Sequence, residues 1–256
     1  VKIDIAPTSL AAPPQQMDAV AKGVVDMAYQ FHGFLAPKIK LTNVAHLPFV
    51  NTTSRGSSIA LWRTYEKYFA KANEFTDVQV LGFFVGQAGP IYAMKSPINT
   101  IADLKGTRMY ALPGVPARIF EAAGAGVVAA PAVRSHEIIA GGTVDSFAGY
   151  AVMDAEAFKT MQYAKIVYDV PGHLTAPAFA FFVNKRKWNS ISAKDRDAIM
   201  KLSGEALAER FIAYDTIEVK LRACGFLQPW RGSPPGTQCL APRLRLAASP
   251  RSCRTR

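Results

Sequence analysis

The sequence predicts an α/β protein on three observations. Segments with strand character alternate with segments of helical period along most of the chain. Half of the 256 residues are hydrophobic and 19% are charged, which suffices for a substantial core. The longest apolar run, residues 122–133, is interrupted by Gly124, Gly126 and Pro131 and is well short of the roughly 20 residues a membrane-spanning helix needs. The length suits one large domain or two lobes of ordinary size.

The elements follow in order. Val1-Lys2-Ile3-Asp4-Ile5 alternates as a strand does, and its abrupt start implies that sequence precedes it. Residues 9–23 read as a turn and a helix with proline in its first turn, and "VVDMAYQF" as the next strand. A proline-containing loop, 35–50, leads to a helix over 54–73 with Ile59, Trp62, Tyr65, Phe69 and Ala70 on one face. "DVQVLGFFVG" is a buried strand and "IYAMKSP" another. Thr100 caps a single helical turn, Lys105-Gly106 ends it, and residues 107–111 form a strand. That strand runs through Leu112-Pro113-Gly114 into a helix over 115–124.

Beyond it come the strand "GVVAA", a short helix capped by Ser135, the strand "TVDSFAGY", a helix over 153–163, the extended "AKIVYDV" and the buried strand "AFAFFVN". From Ser192 to about Leu221 the pattern predicts one long helix. Ser192 and Asp195 form its cap, and Ile199, Leu202, Leu207, Phe211 and Tyr214 its apolar face. Such a helix would be about 45 Å long at 1.5 Å per residue, enough to brace two lobes.

Charge and cysteine both set the C-terminus apart. The net charge is +11, but residues 224–256 hold six arginines with no lysine and no acid, leaving +5 on the rest. That remainder is scattered and makes no basic stripe, which argues against nucleic-acid binding. Cys224, Cys239 and Cys253 all lie in the same stretch, without metal-ligand spacing, so no zinc site is expected. A cysteine-free body is compatible with an export compartment. The stretch 225–256 reads as an atypical, disordered tail from an aberrant reading frame.

Enzyme signatures are absent. There is no G-x-S-x-G, and "GFFVGQAG" has the spacing of neither nucleotide-binding glycine motif. Residues 1–223 hold no cysteine nucleophile and no suggestive carboxylate pair. No cofactor and no metal is expected; His32, His46 and His136 share no metal spacing with His173. A small-molecule-metabolising α/β enzyme without a recognisable motif remains the alternative.

The motifs "IDIAPTSL", "VAKGVVDMAY", "LPFV", "SPINTIADLKGTRM", "GGTVDSFAGY" and "GHLTAPAFAFFVNKRKWNSIS", followed by the long helix, occur in one characteristic order. In that order residues 1 to about 225 resemble the DctP-type solute-binding proteins of tripartite ATP-independent periplasmic (TRAP) transporters. The resemblance implies a two-lobed periplasmic-binding-protein-like fold with mixed sheets and a long helix bracing both lobes. Lobe I would comprise 1–87 and 176–215, and lobe II 88–175 and 216–224. It implies a periplasmic, non-enzymatic protein that closes around a small organic ligand and delivers it to a TRAP membrane permease. The family's first strand and helix would precede Val1.

The resemblance also directs attention to Tyr110. In the family the strand after "DLKG" usually ends in an arginine that grips the ligand carboxylate, and that position is Tyr110 here. Strand ends in α/β sheets face ligand crevices, which favours Tyr110 in the cleft. Phe31 and Phe34 fall where relatives often carry polar residues, and Gly149 where an amide is common; Phe147 and Tyr150 lie near it in sequence. For Phe31 and Phe34, core packing and ligand stacking are equally open. Arg108, on Tyr110's side of the strand by simple alternation, is favoured as structural, with ligand contact as the other reading. His173 matches a family histidine at the lobe crossing, where a structural role is favoured. The expected ligand is neutral, cationic or aromatic, or an acid held by neutral donors.

Overall fold

The computed structural model describes residues 2–35, 38–223 and 227–229. Two sheets organise it. The first contains β1 (Met27–Phe31), β2 (Val78–Val85) and β8 (Ala178–Asn184), in the order β1-β8-β2, all antiparallel. Phe31 lies opposite Phe179, and Val85 opposite Ala178, with a bulge between Val80 and Gly82. Strand alternation divides β8. Ala178, Ala180 and Phe182 enter a core with Phe83, Val20, Leu61 and Trp62, while Phe179 and Phe181 point the other way. Helices α1 (Gln16–Lys22) and α2 (Ser54–Thr64) cover the core side.

The second sheet is mixed, in the order β5-β4-β6-β3-β7-β9. Its strands are β3 (Ile91–Ala93), β4 (Arg108–Ala111), β5 (Gly126–Ala129), β6 (Ser146–Phe147), β7 (Ile166–Asp169) and β9 (Leu227–Pro229). β4 runs parallel to β5 and β6, β3 antiparallel to β6 and β7, and β9 parallel to β7. Helices α3 (Val115–Ala122), α4 (Ser135–Ala140) and α5 (Val152–Ala157) belong to this half. The chain crosses between sheets from β2 to β3 and returns from β7 to β8. Gly86 N donates to Pro177 O at 2.7 Å, tying the crossings together. This is the two-lobed α/β arrangement expected from the sequence.

Beyond β8 come α6 (Lys185–Ser190), α7 (Ala193–Leu202), α8 (Gly204–Glu209) and α9 (Ile212–Ala223). The helical run after Ser192 does brace both lobes, but in three pieces. Ser203 is extended (φ −94°, ψ −175°) and Gly204 left-handed (φ 56°); a Cβ at Gly204 would lie 2.4 Å from the Trp62 ring. The chain bends there to let the indole of α2 seat against glycine.

Other expectations are corrected. Residues 2–5 form no strand: they pair with no strand of either sheet, and Ile3 and Ile5 stay exposed, so the alternation buries no apolar face. The helix from Ser54 keeps α geometry only to Thr64, then widens into a π-type turn at Tyr65–Phe69 and a 3-10 turn at Ala70–Ala72. The widening takes Ala70 off the buried face. Ser135 is the first residue of α4 and does not cap it, because the preceding turn Ala132–Arg134 already carries helical backbone. Of the tail expected to be disordered, Leu227–Pro229 forms β9; its other residues, and Cys224, Cys239 and Cys253, lie outside the described residues.

Candidate functional site

The two sheets meet at a seam of rings. Phe31 ends β1 and Phe34 follows in the turn His32–Phe34; Phe179 comes from β8. Opposite them stand Tyr92 on β3, Tyr110 on β4, Leu112 after it, Phe147 on β6 and Tyr150. All belong to one apolar cluster, with Phe34 and Phe179 partly buried against it. The Phe31 ring meets Phe34 edge-on at 5.4 Å and Phe179 at 5.6 Å, while Tyr92 stacks on Phe147 at 4.4 Å and Tyr110 lies 6.1 Å from Tyr150. Such ring pairs add about 0.5–1.5 kcal/mol beyond their area.

Among the sequence candidates, the structure therefore brings Phe31, Phe34, Tyr110, Phe147 and Tyr150 together. Gly149 adjoins Leu112, against which a Cβ at that position would rest at 3.4 Å. Arg108 stands apart. It occupies the outer end of β4, exposed, with Nη2 3.0 Å from Asp145 Oδ1; Lys95 Nζ reaches the same oxygen at 2.5 Å. These two cations hold the Asp145 carboxyl far below the usual carboxylate range. The alternation that would place Arg108 beside Tyr110 yields to a salt bridge at the strand end. His173 is also elsewhere, half-buried at the lobe crossing with φ 57° and Nδ1 3.6 Å from Asp169 Oδ1.

The ring cluster itself holds no charged side chain, although Glu218, Arg222 and Asp154 lie near enough to Tyr92 to influence it, and its hydroxyls are occupied. Tyr110 Oη donates to Ala130 O at 3.0 Å, Tyr92 Oη to Tyr150 O at 3.3 Å, and Tyr150 Oη pairs with Thr160 Oγ1 at 3.2 Å. Burial raises the pKa of Tyr92 and Tyr110 well above the usual phenol value and pushes Tyr150 up to about 12. All three are neutral phenols at any physiological pH. Behind Phe31 the His46 ring lies 5.1 Å away; its Nε2 accepts from Ala178 N at 3.1 Å, so the proton sits on Nδ1. Burial lowers the pKa of His46 and His32 to about 3, keeping both neutral.

Sequence reasoning missed Phe179, Tyr92 and Leu112. The odd-numbered register of β8 marks the first, since Phe179 shares its face with Phe181 and opposes Phe31. It also missed the charged face of α9. Asp215 accepts from Ser54 N at 2.6 Å and Arg55 N at 3.1 Å at the start of α2, and Gln87 also donates to it. Glu218 accepts from Val152 N and Met153 N, both at 3.0 Å, at the start of α5. Arg222 bonds Glu218, Asp169 Oδ1 at 2.8 Å and the crossing carbonyl of Ala88 at 3.0 Å. One helix face thus holds both lobes and the crossing between them.

Two α/β lobes, two crossings and an apolar seam between them define the class of two-lobed solute-binding proteins. The chain belongs to the DctP family, described as bacterial extracellular solute-binding protein, family 7, whose model matches residues 1–223. It is 56% identical over 223 residues to a Comamonas testosteroni protein named outer membrane transporter protein TsaT, covering 87% of this chain and 66% of that protein's length. A TRAP periplasmic solute-binding protein from Bordetella bronchiseptica, solved with bound (R)- and (S)-mandelate, has a similar structure: TM-score 0.82 and 30% identity, over 88% of this chain and 72% of that one. A marine metagenome TRAP solute-binding protein described as specific for aromatic acid ligands, solved with 3-hydroxybenzoate, matches with TM-score 0.79 and 26% identity, over the same 88% and 72%.

Proposed function

We propose that this chain is the periplasmic solute-binding component of a TRAP transporter, and that it captures a small aromatic acid by closing two lobes over it and presents it to the membrane permease. The lobes are 1–87 with 176–215 and 88–175 with 216–224. The observation that carries the reading is the ring cluster spanning both sheets, with Tyr110 at its centre in place of a cation. Closure is favoured because a ligand touching both faces stabilises the shut state over the open one.

Magnitudes favour recognition through the ring. Burying roughly 120 Å² of an aromatic ligand contributes about 3 kcal/mol at 25 cal/mol per Å². A hydrogen bond to a charged group contributes roughly 1.5–3 kcal/mol, so a cluster of rings compensates for one missing arginine contact. Because the Tyr110 hydroxyl already bonds Ala130, the residue offers a ligand its ring face. The relatives with bound mandelate and 3-hydroxybenzoate support this ligand class. Phe31, Phe34, Tyr110, Phe147 and Tyr150 are the ligand-facing residues in this reading, with Gly149 beside them; Arg108 and His173 serve the scaffold.

A thermal-shift screen of the full chain against aromatic acids, aliphatic organic acids and amino acids tests the assignment. Aromatic acids are expected to raise the melting temperature in a concentration-dependent way, since only the folded form binds, with the compound recovered unchanged. Chemical conversion of a stabilising compound would instead identify an enzyme.

A further inference from the structure

At the rim of the seam the lobes meet backbone to backbone. Gly33, in the turn after β1, lies against Pro113 and Gly114, in the turn after β4. A Cβ added at Gly33 would fall 2.3 Å from the Pro113 carbonyl oxygen, and one at Gly114 would fall 2.9 Å from the Gly33 Cα. Neither separation is tolerable for a real side chain, so the spacing of the lobes requires glycine at both places. Nearby, α3 packs on the turn Leu41–His46 of the first lobe. Gly114 has a second reason to be glycine, since its φ of 84° and ψ of −136° suit no other residue. Gly33 has space alone as its reason. That space is bounded by the opposite lobe and by Phe31, whose ring a Cβ would approach to 2.2 Å.

We propose that Gly33 and Gly114 form the closing stop of the binding protein: a contact free of side chains that sets how near the lobes come, and so how firmly the seam rings press on a ligand. The inference rests on the capture reading above and deepens it. A methyl group at residue 33 must both hold the lobes apart, to clear the Pro113 carbonyl, and displace the Phe31 ring. A gap of only about 0.5–1 Å already forfeits a quarter to a half of each dispersion contact across the seam.

The test uses the full chain as wild type, Gly33→Ala, Gly114→Ala and Gly106→Ala. Gly106 is a control for backbone strain, having a φ of 78° and nothing near its would-be Cβ. (R)-Mandelate and 3-hydroxybenzoate are titrated by calorimetry, and small-angle scattering follows contraction at saturating probe. Gly33→Ala and Gly114→Ala are expected to bind at least about tenfold more weakly and to contract less, while Gly106→Ala matches wild type. Wild-type affinity and contraction in Gly33→Ala would overturn the stop and leave the capture reading intact. If wild type itself binds neither probe, the aromatic-acid assignment fails. The stop is then judged without ligand: a larger radius of gyration in Gly33→Ala supports it and an equal one overturns it. Should Gly33→Ala fail to melt cooperatively, F31L/G33A, which relieves the contact within the first lobe, is compared with F31L by scattering under the same criterion.

Discussion

Tyr110, next to the end of β4, is a fully buried ring whose hydroxyl is committed to the Ala130 carbonyl. That bond fixes the ring edge, so in the proposed capture Tyr110 offers a ligand its face. A short walk away, Asp154 shows how the site environment titrates. Burial, helped by the Glu218 carboxylate, pushes its pKa from 3.8 up to about 6. The folded state therefore holds this proton more tightly than the unfolded chain, and the stability it contributes is present below about pH 4 and lost as pH rises through about 6. Buried His32 and His46 work in the opposite sense. Their lowered pKa favours the neutral ring, so their contribution is present above pH 6.5 and lost as pH falls towards 3. Comparing Asp154→Asn with wild type cancels the histidines. The variant is expected to gain roughly 1–3 kcal/mol relative to wild type between pH 4 and 6.5, read as a melting-temperature difference that grows with pH. A difference constant across that range would contradict the assignment. At this scale the sequence made Tyr110, Phe31 and Tyr150 visible through motif position. It hid the partners of their neighbours, because an ion pair such as Arg108–Asp145 joins residues 37 apart and leaves no local pattern.

Among the elements, α9 does most to hold the lobes in register. Asp215 and Glu218 are three residues apart on one face, and each accepts two main-chain N–H groups from a helix start on a different side of the crossing. An unpaired helix N-terminus carries partial positive charge, so a buried carboxylate there is stabilised while it caps. Asp215→Asn and Glu218→Gln keep the shape and remove one acceptor and the charge. Each is expected to lower stability by about 1.5–3 kcal/mol in denaturant titrations, with Glu218→Gln the more damaging because it also removes the charge partner of Arg222 Nε. Losses within experimental scatter of zero would show that the caps are incidental. The bracing helix was legible from its length and its Ser192 cap. Its breaks were not, because the left-handed turn at Gly204 exists to admit Trp62, more than a hundred positions earlier in the chain. The same limit explains residues 2–5, whose alternation suits a strand but which pair with no strand of either sheet.

The whole molecule is two sheets linked by two crossings, with their facing ring clusters fused into one seam. The order of strands and helices, the absence of catalytic motifs and the family resemblance were readable from the chain. The contact between lobes was not, since the close approach of Gly33 and Gly114, far apart in the chain, appears only when the two turns are seen together. The central claim is that an uncharged, ring-lined seam selects the ligand by its aromatic face. It is tested most directly by calorimetric titration of the full chain with 3-hydroxybenzoate and with succinate under identical conditions. The account predicts saturable binding of the aromatic acid at micromolar concentration or below and no measurable heat from the dicarboxylate. Tight binding of succinate with none of 3-hydroxybenzoate would contradict it.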